Sequence, residues 1–514
     1  MLTRQLCKQI RLSKAIARAQ SSNVPQTNAG QAPARLVGMQ FGKQELVDFG
    51  ELPRGRIPAQ LQQAPEHKLS RLENNVGVVS EVYPGDLATV SIFLRAGSRY
   101  EDIATSGSAR MLSHLFFRGS KGKSRAELER ALEDLGAEPQ LTYERELIGL
   151  SLRVAKEDVA RAIDLLAEMI VDVNVEDSAI EAEKENVINA SLDLCRDQWE
   201  QSVEGVFYTS FRDHIMGQPS RGNRDNVPSL NAVAINEHVE KTYAGKNFTV
   251  VATGAVNHEE VVAAAQKRLS KLPVAPTREV AHVNVEKPLL TPSLMVLRDD
   301  EMANMNMCMS YYVPGYAHPD KFLIQYVQHI LGDYNAHEHG HAHINAANRQ
   351  YNFLHRILGE GPGVSLQHTE YFGFSDVGLF TTWIHGNDVW SKEMLHVAQY
   401  SLGRAATLLD QVEVFRARAS LFNSLLQDRP SSGLNSLIAK DVQYIGRRVD
   451  RTELAYRYSN MCEHNFMQAK IKQYFYAKET GIAIWGPCHN YIKEMHYYNN
   501  NMINATRGNP IVMI

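Results

Sequence analysis

The residues that could do chemistry gather in two places. The first is the stretch Gly107-Ser108-Ala109-Arg110-Met111-Leu112-Ser113-His114-Leu115-Phe116-Phe117-Arg118-Gly119-Ser120. A histidine here could in principle serve a metal site. The residue types around it argue against one. A guanidinium stays protonated, only donates, and repels a dication, so Arg110 cannot be a ligand. Ser113 is no general base at neutral pH without an activating partner. A catalytic zinc needs three protein ligands and an open water position, and His114 supplies one. On a helix face shared with Leu112, Leu115 and Phe116, His114 reads as a hydrogen-bonded, partly buried histidine.

The second place is His337, His339, His341 and His343, at every second position. In an extended strand they would share one face, and His-rich tracts can hold metal. A polar surface loop needs no ligand, so the expectation is a solvated loop, with divalent-metal binding as the weaker alternative.

The elements that must position these residues follow a plan that occurs twice. In the first half, residues 88–96 alternate as a strand, and 108–118 form a helix. A second helix, 124–135, opens with Ser124 and has Glu127 three residues on, a capping box. Residues 148–154 are a strand, 156–170 an amphipathic helix, and 248–253 an apolar strand ending at Gly254. In the second half the order returns: strand 306–313, helix 321–331, strand 377–384, helix 389–402 and strand 481–485, ending at Gly486 and Pro487. Internal duplication is the economical explanation. Pro273, Pro276, Pro288 and Pro292 mark a linker between the halves, with the boundary near residue 285.

The chain has 514 residues, which predicts two or more domains. With 44% hydrophobic and 22% charged residues its composition is that of a globular protein. A formal net charge of −4 gives no reason to propose nucleic acid as a partner. No apolar run reaches membrane-spanning length, so membrane association must come through partner proteins. The five cysteines, Cys7, Cys195, Cys308, Cys462 and Cys488, are scattered and form no C-x-x-C pair, which suits a reducing compartment. The first acidic residue is Glu45. Before it, Arg4, Lys8, Arg11, Lys14 and Arg18 fall on one side of a helix and Leu2, Leu6, Ile10, Leu12 and Ile16 on the other. An acid-free basic amphipathic start is the composition of an organelle transit peptide, and residues 1–35 are expected to be a leader with a flexible segment.

Several segments together carry a resemblance. They are Ala96-Gly97-Ser98-Arg99-Tyr100-Glu101, residues 107–120, 125–136 and 247–256, Leu297-Arg298-Asp299-Asp300, Gly315-Tyr316-Ala317-His318-Pro319-Asp320, Tyr444-Ile445-Gly446-Arg447-Arg448 and Ile482-Ala483-Ile484-Trp485-Gly486-Pro487. In this order they resemble the pitrilysin-type (inverzincin) metallopeptidase superfamily over nearly the whole chain beyond the leader. The nearest branch is that of the mitochondrial processing peptidase beta subunit and core protein I of respiratory complex III. The family motif is H-x-x-E-H on a helix, with two zinc-binding histidines, a glutamate that polarises water, and a distal glutamate ligand. Placed on this sequence, the first histidine falls on Arg110, the glutamate on Ser113, the second histidine on His114 and the distal glutamate on Ser191.

The resemblance implies an α+β fold of two homologous domains, 36–285 and 286–514. Each is a mainly antiparallel sheet covered by helices, the pair arranged as a clamshell. The degenerate motif implies no catalytic residue, no cofactor and no metal. It implies a non-catalytic core subunit of mitochondrial ubiquinol–cytochrome c reductase (complex III), peripheral on the matrix side of the inner membrane. Its partners would be a homologous alpha-type core protein and the other complex III subunits. The alternatives are a non-catalytic processing-peptidase subunit that binds presequence peptides, with catalysis on a partner chain, and a free peptide-binding module.

Overall fold

The structure, a computed structural model, describes residues 57–336, 363–488 and 511–513, apart from residues 195, 213, 292 and 477. The expected leader and the four histidines 337, 339, 341 and 343 lie outside the described residues.

Two sheets organise the chain. The first contains β1 (His67–Arg71), β2 (Gly77–Val82), β3 (Leu87–Leu94), β4 (Gln140–Tyr143), β5 (Ile148–Ala155) and β6 (Phe248–Gly254), in the order β1-β2-β6-β3-β5-β4. The second contains β7 (Leu294–Arg298), β8 (Met305–Pro314), β9 (Tyr334–Asn335), β10 (Val364–Gly373), β11 (Val377–Gly386), β12 (Thr480–Gly486) and β13 (Ile511–Met513), in the order β13-β7-β12-β8-β11-β10-β9. The runs β2-β6-β3-β5-β4 and β7-β12-β8-β11-β10 are the same topology. Each opens on a parallel pair, β2 with β6 and β7 with β12, and continues antiparallel. The fold class is therefore α+β with two homologous, mainly antiparallel sheets.

Among the described residues, the α-helices of eight or more residues in the first half are α1 (Ser108–Leu115), α2 (Arg125–Asp134), α3 (Val159–Val171), α4 (Asp177–Leu194), α5 (Gln198–Ser210), α6 (Ala232–Thr242) and α7 (His258–Leu269). The second half adds α8 (Lys321–Leu331), α9 (Ser391–Leu408), α10 (Gln411–Gln427), α11 (Ser432–Lys440), α12 (Arg451–Asn460) and α13 (His464–Tyr474). The Ser124–Glu127 capping box forms as expected at the start of α2. Helix α1 stops at Leu115, short of the expected residue 118. There the amides of Phe117 and Arg118 reach back only three residues, to His114 and Leu115, and Gly119 turns the chain at a φ of 119°.

The strands show why the halves cannot separate cleanly. Alternate residues of a strand point to opposite faces. In the first sheet, Val78, Val90, Ile92, Val250 and Ala252 pack against α1, α3 and α7 of their own half. Their neighbours Val79, Phe93 and Val251 point the other way and pack on Leu434, Ile438 and Ala439 of α11, from the second half. The second sheet mirrors this. Met307, Met309, Phe380 and Ile384 join the core that also holds residues of α8, α10 and α13. On its other face Cys308, Leu379 and Trp383 meet Val203, Val206 and Phe207 of α5, from the first half. The approach of α5 is close enough that a Cβ on Gly205 would lie 2.6 Å from Met295 Cε, and one on Gly481 2.5 Å from Ser210 Oγ. No described helix is long and apolar enough to cross a membrane.

One buried ion pair fastens the halves beside α1. The Arg99 guanidinium donates to Glu146 Oε1 at 2.6 Å and to both Asp376 carboxylate oxygens at 2.7 Å, and also reaches the Asn284 and Glu286 carbonyls. Glu146 in turn accepts from the Ser375 amide and hydroxyl. Side chains of Arg99 and Glu146 are 3% and 1% exposed. Removing one partner leaves a buried charge alone, so Arg99→Met is expected to cost ~3–5 kcal/mol in urea unfolding. Adding Glu146→Gln should recover part of that loss. An Arg99→Met midpoint equal to that of the unaltered chain would rule out this fastening.

Candidate functional site

Helix α1 begins at Gly107, whose φ of 111° is one that a side chain would resist. Its first amides are capped by Glu101, which accepts from Gly107 N at 3.0 Å and Ala109 N at 2.6 Å. Burial raises the Glu101 carboxyl to about 8, against the pull of those two amides. With Ala109, Met111, Leu112 and Leu115 buried in the core, Arg110 and His114 are left one turn apart on the rim.

Ser113 is fully buried, and its hydroxyl donates to the Arg110 carbonyl at 2.7 Å, so it closes on its own helix. The Arg110 guanidinium lies over the ring of Tyr143 on β4, 5.2 Å from its centroid. His114 Nδ1 lies 3.3 Å from Glu183 Oε2 on α4. Glu183 is also held by Arg118 Nε and by Asn186 Nδ2 at 3.0 Å, while Arg118 Nη2 donates to the Ala182 carbonyl. Burial pushes the Glu183 carboxyl up, but the hydrogen bonds from Asn186 and Arg118 outweigh it and hold it below its ordinary value. Burial, then the charge of Arg110, holds the His114 imidazole below its ordinary value. The carboxylate partner thus assigns the proton of the neutral ring to Nδ1.

His114 meets Glu183, Arg110 lies over Tyr143, and Ser113 closes on its own helix. Ser191 lies on α4 eight residues beyond Glu183, ~12 Å along the axis. Its neighbour Ala190 presents its carbonyl to Arg221 Nη1 at 3.4 Å. Sequence reasoning missed Glu183 and Tyr143. Glu183 had a signal: Ile180, Glu183 and Val187 fall on one stripe of α4, and all three are buried. A carboxylate on an apolar stripe needs a partner. Tyr143 had none, because its pairing with Arg110 depends on where the edge strand β4 ends.

Comparison with known proteins identifies the family. Residues 77–221 match the insulinase-type peptidase family M16, and residues 229–421 match the M16 inactive domain. The chain belongs to the M16 peptidase family. Among curated relatives, subunit 1 of the mitochondrial cytochrome b-c1 complex of Bos taurus is 25% identical over 441 residues, covering 85% of this chain and 89% of the relative. A probable mitochondrial-processing peptidase subunit beta of Arabidopsis thaliana is 25% identical over 438 residues, covering 85% and 80%. Two solved structures share the fold. One is a chain of complex III from Candida albicans, with a TM-score of 0.72 and 19% identity over 85% of this chain and 99% of that one. The other is a protease from Helicobacter pylori, with a TM-score of 0.67 and 16% identity over 83% and 100%.

An M16 chain invites the question of zinc at α1, and the donors here do not fit it. A dication beside His114 would meet one imidazole and Glu183, whose carboxylate is already bound to Arg118 and Asn186. Arg110, one turn before His114 on α1, brings a fixed positive charge close by. Among the described residues, no three His, Cys, Asp or Glu side chains gather as a metal site. What this M16 site holds instead is a charge-paired plug between α1 and α4. Glu183→Gln would leave Arg118 and His114 without their carboxylate and should cost ~1–3 kcal/mol in urea unfolding. The double variant Glu183→Gln with Arg118→Met should restore part of it, and additive losses in that cycle would show that the two side chains do not interact.

Proposed function

We propose that this chain is a non-catalytic core subunit of mitochondrial ubiquinol–cytochrome c reductase, a matrix-side scaffold peripheral to the inner membrane. The observation that carries the reading is Arg110. It sets a permanent cation, and Ser113 a self-bonded hydroxyl, where a peptidase of this family needs a ligand and a base, on an M16 fold whose two sheets are otherwise intact. A scaffold needs the sheets and helices and not the metal. The likeness to subunit 1 of the cytochrome b-c1 complex supports that role. The acid-free, basic segment within residues 1–35 supports import into mitochondria. Attachment to the membrane would run through partners: a homologous alpha-type core protein and the other subunits of the complex. In this reading residues 36–285 and 286–514 are the two homologous assembly domains.

A second reading has equal sequence likeness behind it, since processing-peptidase beta subunits are about as similar. In that reading the chain binds presequence peptides and a partner carries out the cleavage. Because the beta type is the catalytic type in the resemblance, a beta-like chain without ligands fits a core protein better.

Native electrophoresis of detergent-solubilised mitochondria separates the two. The chain should migrate with cytochromes b and c1, and migration at monomer or dimer mass without cytochromes would defeat the first reading. Metal analysis of the purified chain should find less than one zinc per chain. One tightly held zinc, lost in His114→Ala, would defeat the non-catalytic reading.

A further inference from the structure

We infer that the rim of α1 carries an oxyanion-binding site, built from Arg110 and His114. Two unmet polar atoms carry the inference. Arg110 Nε and His114 Nε2 are each buried and without a hydrogen-bond partner among the described residues. They belong to residues one turn apart on the same helix, so one ligand at the rim can reach both.

The neighbouring charges leave Arg110 nothing to pair with. Glu183 is taken by Arg118 and His114. Glu200 pairs with Arg221 at 2.5 Å, and Glu204 with Arg145 at 2.7 Å. Glu101 is spent on the first amides of α1. The Tyr143 hydroxyl donates to the Ser220 carbonyl at 2.8 Å, so what the tyrosine offers Arg110 is its ring. A cation on an aromatic face gains ~0.5–2 kcal/mol and gives the buried Nε–H no acceptor. Partly buried cations are ordinarily paired, because desolvation without a counter-charge is costly. The site is one anion short.

The geometry also selects the ligand chemistry. The guanidinium fork matches a planar carboxylate or a phosphate, bound by two parallel hydrogen bonds. His114 keeps Nδ1 toward Glu183, and an arriving anion favours a proton on Nε2, which turns the second unmet atom into a second donor. The ligand class is therefore an oxyanion, presented either by a small ion such as inorganic phosphate or by an acidic side chain of a peptide. This inference stands apart from the complex III assignment, since it uses only the residues around α1.

The test uses the full chain at constant ionic strength. Its thermal midpoint is followed while inorganic phosphate is titrated in, then a short capped peptide with one central glutamate, then the same peptide with glutamine. The expected result is a saturable rise with phosphate or with the glutamate peptide, no rise with the glutamine peptide, and loss of the response in Arg110→Met. Arg110→Lys should respond with at least tenfold weaker apparent affinity. The His114 ring nitrogen signals should move with the same midpoint. Response to phosphate alone assigns the small-ion source, and response to the glutamate peptide assigns the acidic-chain source. Without added anion, Arg110→Met should unfold at or above the temperature of the unaltered chain, because it removes an unpaired cation. The inference is overturned if no probe gives a saturable shift, if Arg110→Met responds like the unaltered chain, or if Arg110→Met is markedly less stable without anion.

Discussion

Both sheets are apolar on both faces, and this constraint governs the rest of the structure. All seven residues of β6 and all ten of β11 are buried. Strands of that kind need cover on each side. Each half supplies helices for one face of its own sheet and leaves the other bare. Burying a Val, Leu, Ile or Phe side chain contributes ~1.5–3 kcal/mol, so several such residues on an open face would be a large unmet term. The exchange of α5 and α11 meets it: each half lends one helix to the sheet of the other. The cores are interleaved, and neither sheet is fully covered by its own segment of chain.

Polar contacts fix the register of that exchange. Asn435 on α11 is fully buried and donates to the Thr89 carbonyl and Ser91 Oγ, while its own oxygen accepts from Thr253. Gln443 reaches Thr249 and the Asn247 carbonyl. On the other side, the hydroxyls of Ser210 and Ser310 meet at 2.7 Å. Buried polar groups are costly unless paired, so α11 and α5 can sit on their sheets in few ways. The Arg99–Glu146–Asp376 cluster adds a charged fastening between the halves. It sits next in sequence to Glu101, which caps α1, so the loop that joins the halves also anchors the helix of the candidate site.

At that site, electrostatics replaces coordination. Zinc chemistry requires anionic or neutral donors converging on one point. Here α1 and α4 bring one imidazole and one carboxylate within reach of two arginines. The Glu183 carboxylate goes to Arg118, Asn186 and His114. Arg110 is left with an aromatic face.

The sequence by itself determined the local elements and the chemistry of α1. Alternation marked β3, short strand-like runs marked β5, β6, β8, β11 and β12, the 3.6-residue period marked α3 and α8, and the Ser124–Glu127 pair marked the start of α2, because each depends on residues within a few positions. That Arg110 cannot ligate a metal was legible for the same reason: it follows from the residue type. Tertiary structure decided the rest. That α5 and α11 cross to the opposite sheet, that Glu183 rather than Ser191 meets His114, and that Tyr143 lies under Arg110 all depend on contacts between residues far apart in the chain. A sequence pattern records which residues want burial or a counter-charge. Which partner provides it is settled only when the two sheets have closed on their helices.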